Sequence, residues 1–310
     1  MPLTERNHLG AKDSDPKFLV VDGSAVAYRA YFALPHLTAP SGEPTNAIYG
    51  FIRMVNKLLT DLKPAFGVVV WDGGRSTDRL QIHPEYKATR PPMPDELRSQ
   101  IRRIQEFLDY SGIRSVQIEG VEADDLVATF AKVGVNSGLV IYIVGNDKDF
   151  CQLVSDRVFV VSPTHRKPEL LTIARVHEKF GVFPDQVIDY LSLVGDSVDN
   201  IEGVPGVGPK TAAQLLEKFG TIEELYCRLS EVQPERLRNA LREHEYQVKR
   251  NKELISFKIF PDIVGELKNY ALQQQNNEKL RGFYRELGFN SLIKEIDESI
   301  SKAEVGELFQ

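Results

Sequence analysis

Four short apolar runs, at 18–21, 67–71, 139–144 and 158–161, constrain the fold of this chain more than any other feature. They are rich in Val and Ile and nearly continuous, the pattern of strands covered on both faces. Helical patterns separate them. Over 47–62 the residues Ile48, Phe51, Ile52, Val55, Leu58, Leu59 and Leu62 recur at helical spacing, and Lys63-Pro64 stops the run. The stretches 101–108 and 123–133 read the same way. Strands alternating with helices predict an α/β fold, with an open, mostly parallel sheet flanked by helices.

Beyond about residue 165 the strand signals fade. The stretch 185–194 reads as a helix, with Pro184 before it, Asp185 as its cap and Gly195 as its stop. A second helix is expected over 210–219, closed by Gly220, and the C-terminal third reads as mostly helical around a polar stretch at 273–278. The expected organisation is therefore a mobile extension at 1–17, an α/β core at 18–165 and a helical region at 166–310. The two regions are expected to pack as one body, because no Gly/Ser-rich linker divides them. A long connection at 73–97 stands out. It carries Gly73-Gly74, the prolines Pro84, Pro91, Pro92 and Pro94, and the basic residues Arg75, Arg79, Lys87 and Arg90. Such a connection inside a compact domain is usually functional or disordered.

Composition removes several classes. Over 310 residues, 42% hydrophobic and 26% charged content argues against global disorder. A formal net charge of −6 argues against a uniformly basic nucleic-acid coat and leaves room for a local basic groove. Cys151 and Cys227 stand far apart without a CxxC, so neither a disulfide framework nor a zinc ribbon is expected. That fits a reducing, cytoplasmic setting. The apolar runs are too short to span a bilayer, and 1–17 lacks the apolar core of a signal peptide, so no membrane association is expected.

Three of the apolar runs end in acids. Asp22 follows the first, Asp72 the second, and Asp147 and Asp149 the third. Any one of them reads equally well as a turn residue. Together they matter, because ligands of open α/β sheets bind beyond the C-terminal strand ends. Glu122, Asp124 and Asp125 open a helix, where acids also complement the helix dipole. Asp196 and Asp199 follow the end of another helix, where they also suit a capped turn. Nine carboxylates converging without a counter-ion would repel one another, and divalent cations resolve that conflict. An all-oxygen donor set favours Mg²⁺ or Mn²⁺ over zinc. Such a site suits two-metal hydrolysis of a phosphodiester.

The segment 203–211, GVPGVGPKT, fails as a P-loop because Pro209 separates Gly208 from Lys210. It reads better as the hairpin of a helix–hairpin–helix spanning about 185–220. Gly203, Gly206 and Gly208 permit a tight hairpin, and Pro209 suits the first turn of the next helix. Its N–H groups can hold a nucleic-acid phosphate, with Lys210 adding charge.

These motifs resemble the 5′-nuclease domain of bacterial DNA polymerase I and the wider flap endonuclease and 5′–3′ exonuclease superfamily. The matching stretches are VDGSAVAYRAYFAL (21–34), SGEPTNAIYGF (41–51), PEYKATRPPMPDEL (84–97), GVEADD (120–125), GNDKDF (145–150) and GDSVDNIEGVPGVGPKTA (195–212), in the family's order. The resemblance implies a PIN-like nuclease core and metal-dependent cleavage of DNA at 5′ ends, nicks and 5′ flaps, leaving a 5′-phosphate. It puts Asp22, Asp72, Glu122 and Asp124 in a first metal group, and Asp147, Asp149, Asp196 and Asp199 in a second. Asp125 would sit in an outer or shared shell. It makes 73–97 an arch whose Lys87 and Arg90 meet the threaded strand and the scissile phosphate. Arg29, Arg79 and Tyr86 are expected to contact DNA, as are Gly203, Gly206, Gly208, Lys210 and Thr211 of the hairpin. The implied cofactors are two or more Mg²⁺, with Mn²⁺ able to substitute, and K⁺ on hairpin carbonyls. The implied partners are flapped, nicked or 5′ single-stranded DNA, RNA primer–DNA and a DNA polymerase, met by a monomer. Two departures, Asp78 where an aromatic is common before Arg79 and Trp71 where Phe is common, remove no ligand. Two other classes compete. A non-catalytic junction binder would be expected to lack several of the acids, and a small-molecule phosphatase would need neither the hairpin nor the basic arch.

Overall fold

The continuous apolar runs are explained by a sheet with two buried faces. The computed structural model describes residues 14–74, 76–162 and 170–308, with side chains through Ser301. Its main sheet holds β1 (Lys17–Asp22), β2 (Phe66–Trp71), β3 (Arg114–Gln117), β4 (Val140–Val144), β5 (Val158–Val161) and β6 (Leu170–Leu171). The order is β3-β2-β1-β4-β5-β6, parallel throughout except for β6. Successive side chains of a strand point to opposite faces. Phe18, Val20, Val68, Val70, Ile141 and Ile143 enter one core, and Leu19, Val21, Val69, Trp71, Tyr142 and Val144 enter the other.

The four expected runs are β1, β2, β4 and β5. The edge strand β3, Arg-Ser-Val-Gln, has no apolar run to announce it, because it is only partly buried. The two-residue β6 is too short to signal itself. Since β2 lies on one side of β1 and β4 on the other, the strand order reverses at β1. A crevice opens at such a switch point, beyond the strand ends.

The helices of the α/β part are α1 (Gly23–Ala33), α2 (Asn46–Leu62), α3 (Thr77–Ile82), α4 (Asp95–Tyr110) and α5 (Ala123–Asn136). Helix α2 stops where expected, with Lys63 in the left-handed region at φ +48° and its N–H bonded to the Leu59 carbonyl. Then follow α6 (Ile173–Phe180), α7 (Val187–Val194), α8 (Pro209–Phe219), α9 (Ile222–Cys227), α10 (Glu235–Glu243), α11 (Glu245–Ile255), α12 (Pro261–Val264), α13 (Asn277–Glu286) and α14 (Asn290–Leu308). A two-residue ladder of β7 (Gly195–Asp196) with β8 (Ile201–Glu202) follows α7.

Two expectations change. The helix expected from Asp185 starts with a 3₁₀ turn, Pro184–Gln186, and α7 follows it. There Gln186 Oε1, not Asp185, accepts from the exposed Phe183 N–H. The helical part packs onto the core, in keeping with the absence of a linker. Leu280, Phe283, Tyr284, Leu287, Phe289 and Leu292 of the last helices share a core with α2 and α4, and Leu272 N–H bonds to the Ala65 carbonyl. The amphipathic faces of α2 and α4 require that cover. Finally, residues 1–13 of the expected extension lie outside the described residues, but its end is anchored. Asp15 meets Arg157 at 2.9 Å, the Pro16 carbonyl accepts from Val140 N–H, and Lys17 opens β1. No helix among the described residues is long and apolar enough to cross a membrane.

Candidate active site

Six of the predicted acids, Asp22, Asp72, Asp124, Asp147, Asp196 and Asp199, line one open cavity of ≈ 410 Å³ at the switch point. Each is placed by a local backbone device. Asp22 ends β1 and caps α1, accepting from Ala25 N–H at 2.9 Å. Asp72 lies just past β2 and accepts from Ala123 N–H at 3.0 Å, which ties it to the start of α5. Asp147 caps the 3₁₀ turn Lys148–Leu153 through Asp149 N–H at 2.9 Å. Asp196 accepts from Val198 N–H at 3.0 Å inside the turn that carries Asp199.

Asp149, Asp196 and Asp199 are buried and offer oxygens within 4.8 Å of one another. One oxygen of Asp149, Oδ1, is buried without a hydrogen-bond partner. A buried carboxylate oxygen without a donor is costly, and a cation satisfies it. Burial, aided by the neighbouring Asp72 charge, pushes the Asp22 carboxyl up to about 7. Burial also raises Asp124, with Asp147 adding to it, and Asp149, again with Asp147 adding to it. An all-carboxylate donor set that resists ionisation by itself fits a hard divalent cation.

Protein cations already lie among these acids. Lys87, 7% exposed, sets its Nζ 2.7 Å from Glu122, 3.6 Å from Asp124 and 3.8 Å from Asp199. Its backbone is left-handed at φ +54°, and its N–H donates to the Asp199 carbonyl. A non-glycine residue there costs on the order of 1–2 kcal/mol. Arg90 reaches Asp199 at 2.5 Å, and Lys148 reaches Asp196 at 2.8 Å.

Four predicted residues are engaged by other protein groups. Glu122 is buried, its Oε2 accepting from Lys87, Arg79 and Tyr86. Burial would raise its pKa, but Lys87 and Arg79 outweigh burial and hold it below the usual range. Asp125, expected near the metals, receives both prongs of the Arg79 guanidinium at 2.8 Å and also the Lys258 N–H. Helical neighbours point about 100° apart, so Asp124 faces the cavity while Asp125 turns to Arg79. Arg79 and Tyr86, expected against DNA, are 2% and 3% exposed. Tyr86 Oη instead donates toward Glu122 and Asp199 at 3.3 Å. Arg29 is partly exposed and donates to Asn146 at 3.1 Å. Arg75 lies outside the described residues.

The sequence reading missed Ser24, Tyr28, Asn146 and Lys148, which also line the cavity. Two signals were available: Ser24 and Tyr28 lie a helical turn apart on α1, and Lys148 sits between two of the acids.

The 203–208 segment joins β8 to α8 as a hairpin. Val204 and Val207 are buried and anchor it, while Pro205, Gly206, Gly208 and Lys210 are exposed and Thr211 is half-buried. A Cβ on Gly203 would come within 2.1 Å of the Val194 carbonyl oxygen, and Gly206 has φ +83°. The hairpin directly follows the acid-bearing turn, and the β7–β8 ladder pins the two together. Helix α11 braces the same place. Asn251 donates to the Ser192 and Glu202 carbonyls, and Gln247 to those of Glu202 and Gly203.

With this geometry the chain matches known proteins along most of its length. A model of the 5′-3′ exonuclease N-terminal resolvase-like domain matches residues 17–181, and one of the 5′-3′ exonuclease C-terminal SAM fold matches 182–278. A 5′-3′ exonuclease of Aquifex aeolicus is 39% identical over 94% of this chain and 98% of its own. The DNA polymerase I of Bacillus subtilis is 38% identical over 93% of this chain, which spans only 33% of that polymerase. Among solved structures, T5 5′-exonuclease with bound divalent zinc superposes with a TM-score of 0.65 at 24% identity, covering 91% of this chain and 98% of that one. The catalytic core of Rad2 in complex with DNA substrate superposes at 0.63 and 18% identity, covering 91% of each chain. At these identities the two structures establish the shared fold. By its domain models and its Aquifex relative, the chain belongs to the 5′-3′ exonuclease family.

Proposed function

We propose that this protein is a structure-selective 5′-nuclease that hydrolyses phosphodiesters at 5′ ends, nicks and 5′ flaps of DNA. The observation that carries the reading is the partnerless Asp149 Oδ1, buried with Asp196 and Asp199 beside a cavity of strand-end acids. Asp147, Asp149, Asp196 and Asp199 would hold one divalent ion, and Asp22, Asp72 and Asp124 another, with Mg²⁺ the natural occupant and Mn²⁺ a substitute. When bound, such ions activate water and stabilise charge on the leaving oxygen. Lys87 and Arg90 face the same acids and would meet the scissile phosphate there. Glu122 seats the Lys87 ammonium. Exposed N–H groups of the hairpin, with Lys210, would grip duplex phosphates without reading sequence. K⁺ on hairpin carbonyls would support that grip.

The helical region from α7 onward is thus the duplex-binding half, and the arch 73–97 orders the 5′ strand. The match to polymerase I chains supports work beside a DNA polymerase, removing RNA primers and damaged strands in the cytoplasm. Cover of both sheet faces within one chain supports a monomer. The test is a labelled 5′-flap duplex with Mg²⁺ or EDTA. Cleavage with Mg²⁺ alone is the expected result. Tight binding without cleavage in Mg²⁺ would make the protein a junction binder instead.

A further inference from the structure

Arg79 spends its whole hydrogen-bonding capacity inside the protein. A guanidinium has five N–H donors. Nη1 bonds Glu122 at 3.1 Å and Asp125 at 2.8 Å. Nη2 bonds Asp125 at 2.8 Å and the Ser256 carbonyl at 3.1 Å, and Nε bonds the Leu254 carbonyl at 3.0 Å. Its surroundings and its five engaged donors leave nothing for a phosphate. What Arg79 joins is informative. It sits on α3, at the start of the arch. Glu122 stands at the start of α5, and Leu254 and Ser256 form the end of α11. Helix α11 also holds the Gly203 carbonyl of the hairpin through Gln247 and the Glu202 carbonyl just before it through Asn251. The same Oε2 of Glu122 that accepts from Arg79 accepts from Lys87 at 2.7 Å.

We propose that Arg79 is a positioning residue that fixes the Lys87 ammonium through Glu122 and ties that seat, through α11, to the duplex-gripping hairpin. It does not contact DNA. With Arg79 absent, Glu122 loses its charged partner on α3 and keeps only the longer bonds from Ser76 N–H and Tyr86 Oη beside Lys87, so it can shift, and Lys87 follows it. Asp125 is left as a buried charge with only the Lys258 N–H facing it. Misplacing a reacting group by about 1 Å can cost roughly 100-fold in rate. This inference rests on the reading that Lys87 meets the scissile phosphate.

The experiment uses Arg79→Gln and Arg79→Lys, each alone and combined with Lys87→Ala. Single-turnover cleavage of a flap duplex at saturating enzyme and duplex affinity across salt in EDTA are both measured. Arg79→Gln is expected to slow cleavage about 10–100-fold, with affinity and salt slope unchanged. Arg79→Lys, which keeps the charge and loses the fork, is expected to recover part of the rate. In the Lys87→Ala background, Arg79→Gln should cost little more, because the group it positions is gone. An equal fold-loss in both backgrounds would reduce Arg79 to a general structural role and overturn the proposal. So would a salt slope shallower by about 0.9, the signature of a lost phosphate contact. Should Arg79→Gln fail to fold by circular dichroism, Asp125→Asn weakens the same fork from its far side and must show the same pattern, smaller. A wild-type rate for Lys87→Ala alone would sink the reading of Lys87. A slow Lys87→Ala beside a wild-type Arg79→Gln would sink only this inference.

Discussion

Lys87 and Lys210 carry the same ammonium in opposite settings. Lys87 is buried, left-handed and surrounded by Glu122, Asp124 and Asp199. Lys210 is exposed in the first turn of α8 and has no hydrogen bond or ion pair among the described residues. Each breaks a local rule. A left-handed lysine is strained, and a cation at a helix N-terminus opposes the helix dipole. The first is held by its neighbours before any ligand arrives, and under the proposed function it would act on charge that develops during reaction. Under the proposed function the second would meet a phosphate, and its contribution would be to affinity through release of counterions. Residues that violate local preferences without local compensation mark functional places in a fold.

The comparison breaks most easily at the acids around Lys87. Asp147→Ala is expected to abolish cleavage in Mg²⁺, a loss of at least about 1,000-fold, while junction binding in EDTA stays near wild type. Near-normal turnover would refute a shared metal site. Lys87→Ala comes next, with single-turnover cleavage expected to fall about 100–1,000-fold and duplex affinity to change only slightly. If Lys87 is instead a solvated arch lysine, affinity will weaken a little and the saturating rate will not move.

A thermal test sharpens the contrast between a charged interior and a charged surface. Burial and Asp72 raise Asp22 from 3.8 to about 7. Between those values the folded protein binds more protons than the unfolded chain, so folding stability falls as pH rises. The metal-free protein should therefore melt lower at pH 7.5 than at pH 5, by about 5 °C, and Mg²⁺ should restore more stability at the higher pH. A melting temperature that rises over that interval in EDTA would contradict the shift. The smallest effect belongs to Lys210→Ala. Binding to every duplex sequence should weaken a few-fold, with the salt slope shallower by about 0.9 and the saturating cleavage rate unchanged. A changed base preference would mean that Lys210 reads bases.

Local pattern alone was enough for much of this molecule. The continuous Val and Ile content of β1, β2, β4 and β5 can be buried only between two helical layers, and the acids at their ends then converge at the switch point. Spacing alone also separated the 203–211 hairpin from a P-loop, because one proline displaces Lys210. Other features had no local signature. Strand β3 pairs as Arg-Ser-Val-Gln because β2 offers it a free edge, and a partly exposed edge strand asks little of its side chains. The last helices fold back onto α2 and α4 because apolar faces there need cover, a demand that arises only once the sheet has formed. Sequence marks Arg79, Tyr86, Glu122 and Asp125 as candidate contacts with DNA or metal, and the fold adds that they bond to one another. A side chain's type follows from sequence, but its partner depends on which distant segment packs beside it. Here that segment is 254–258, which ends α11 and runs on from it, placing two carbonyls and an N–H against the Arg79–Asp125 pair.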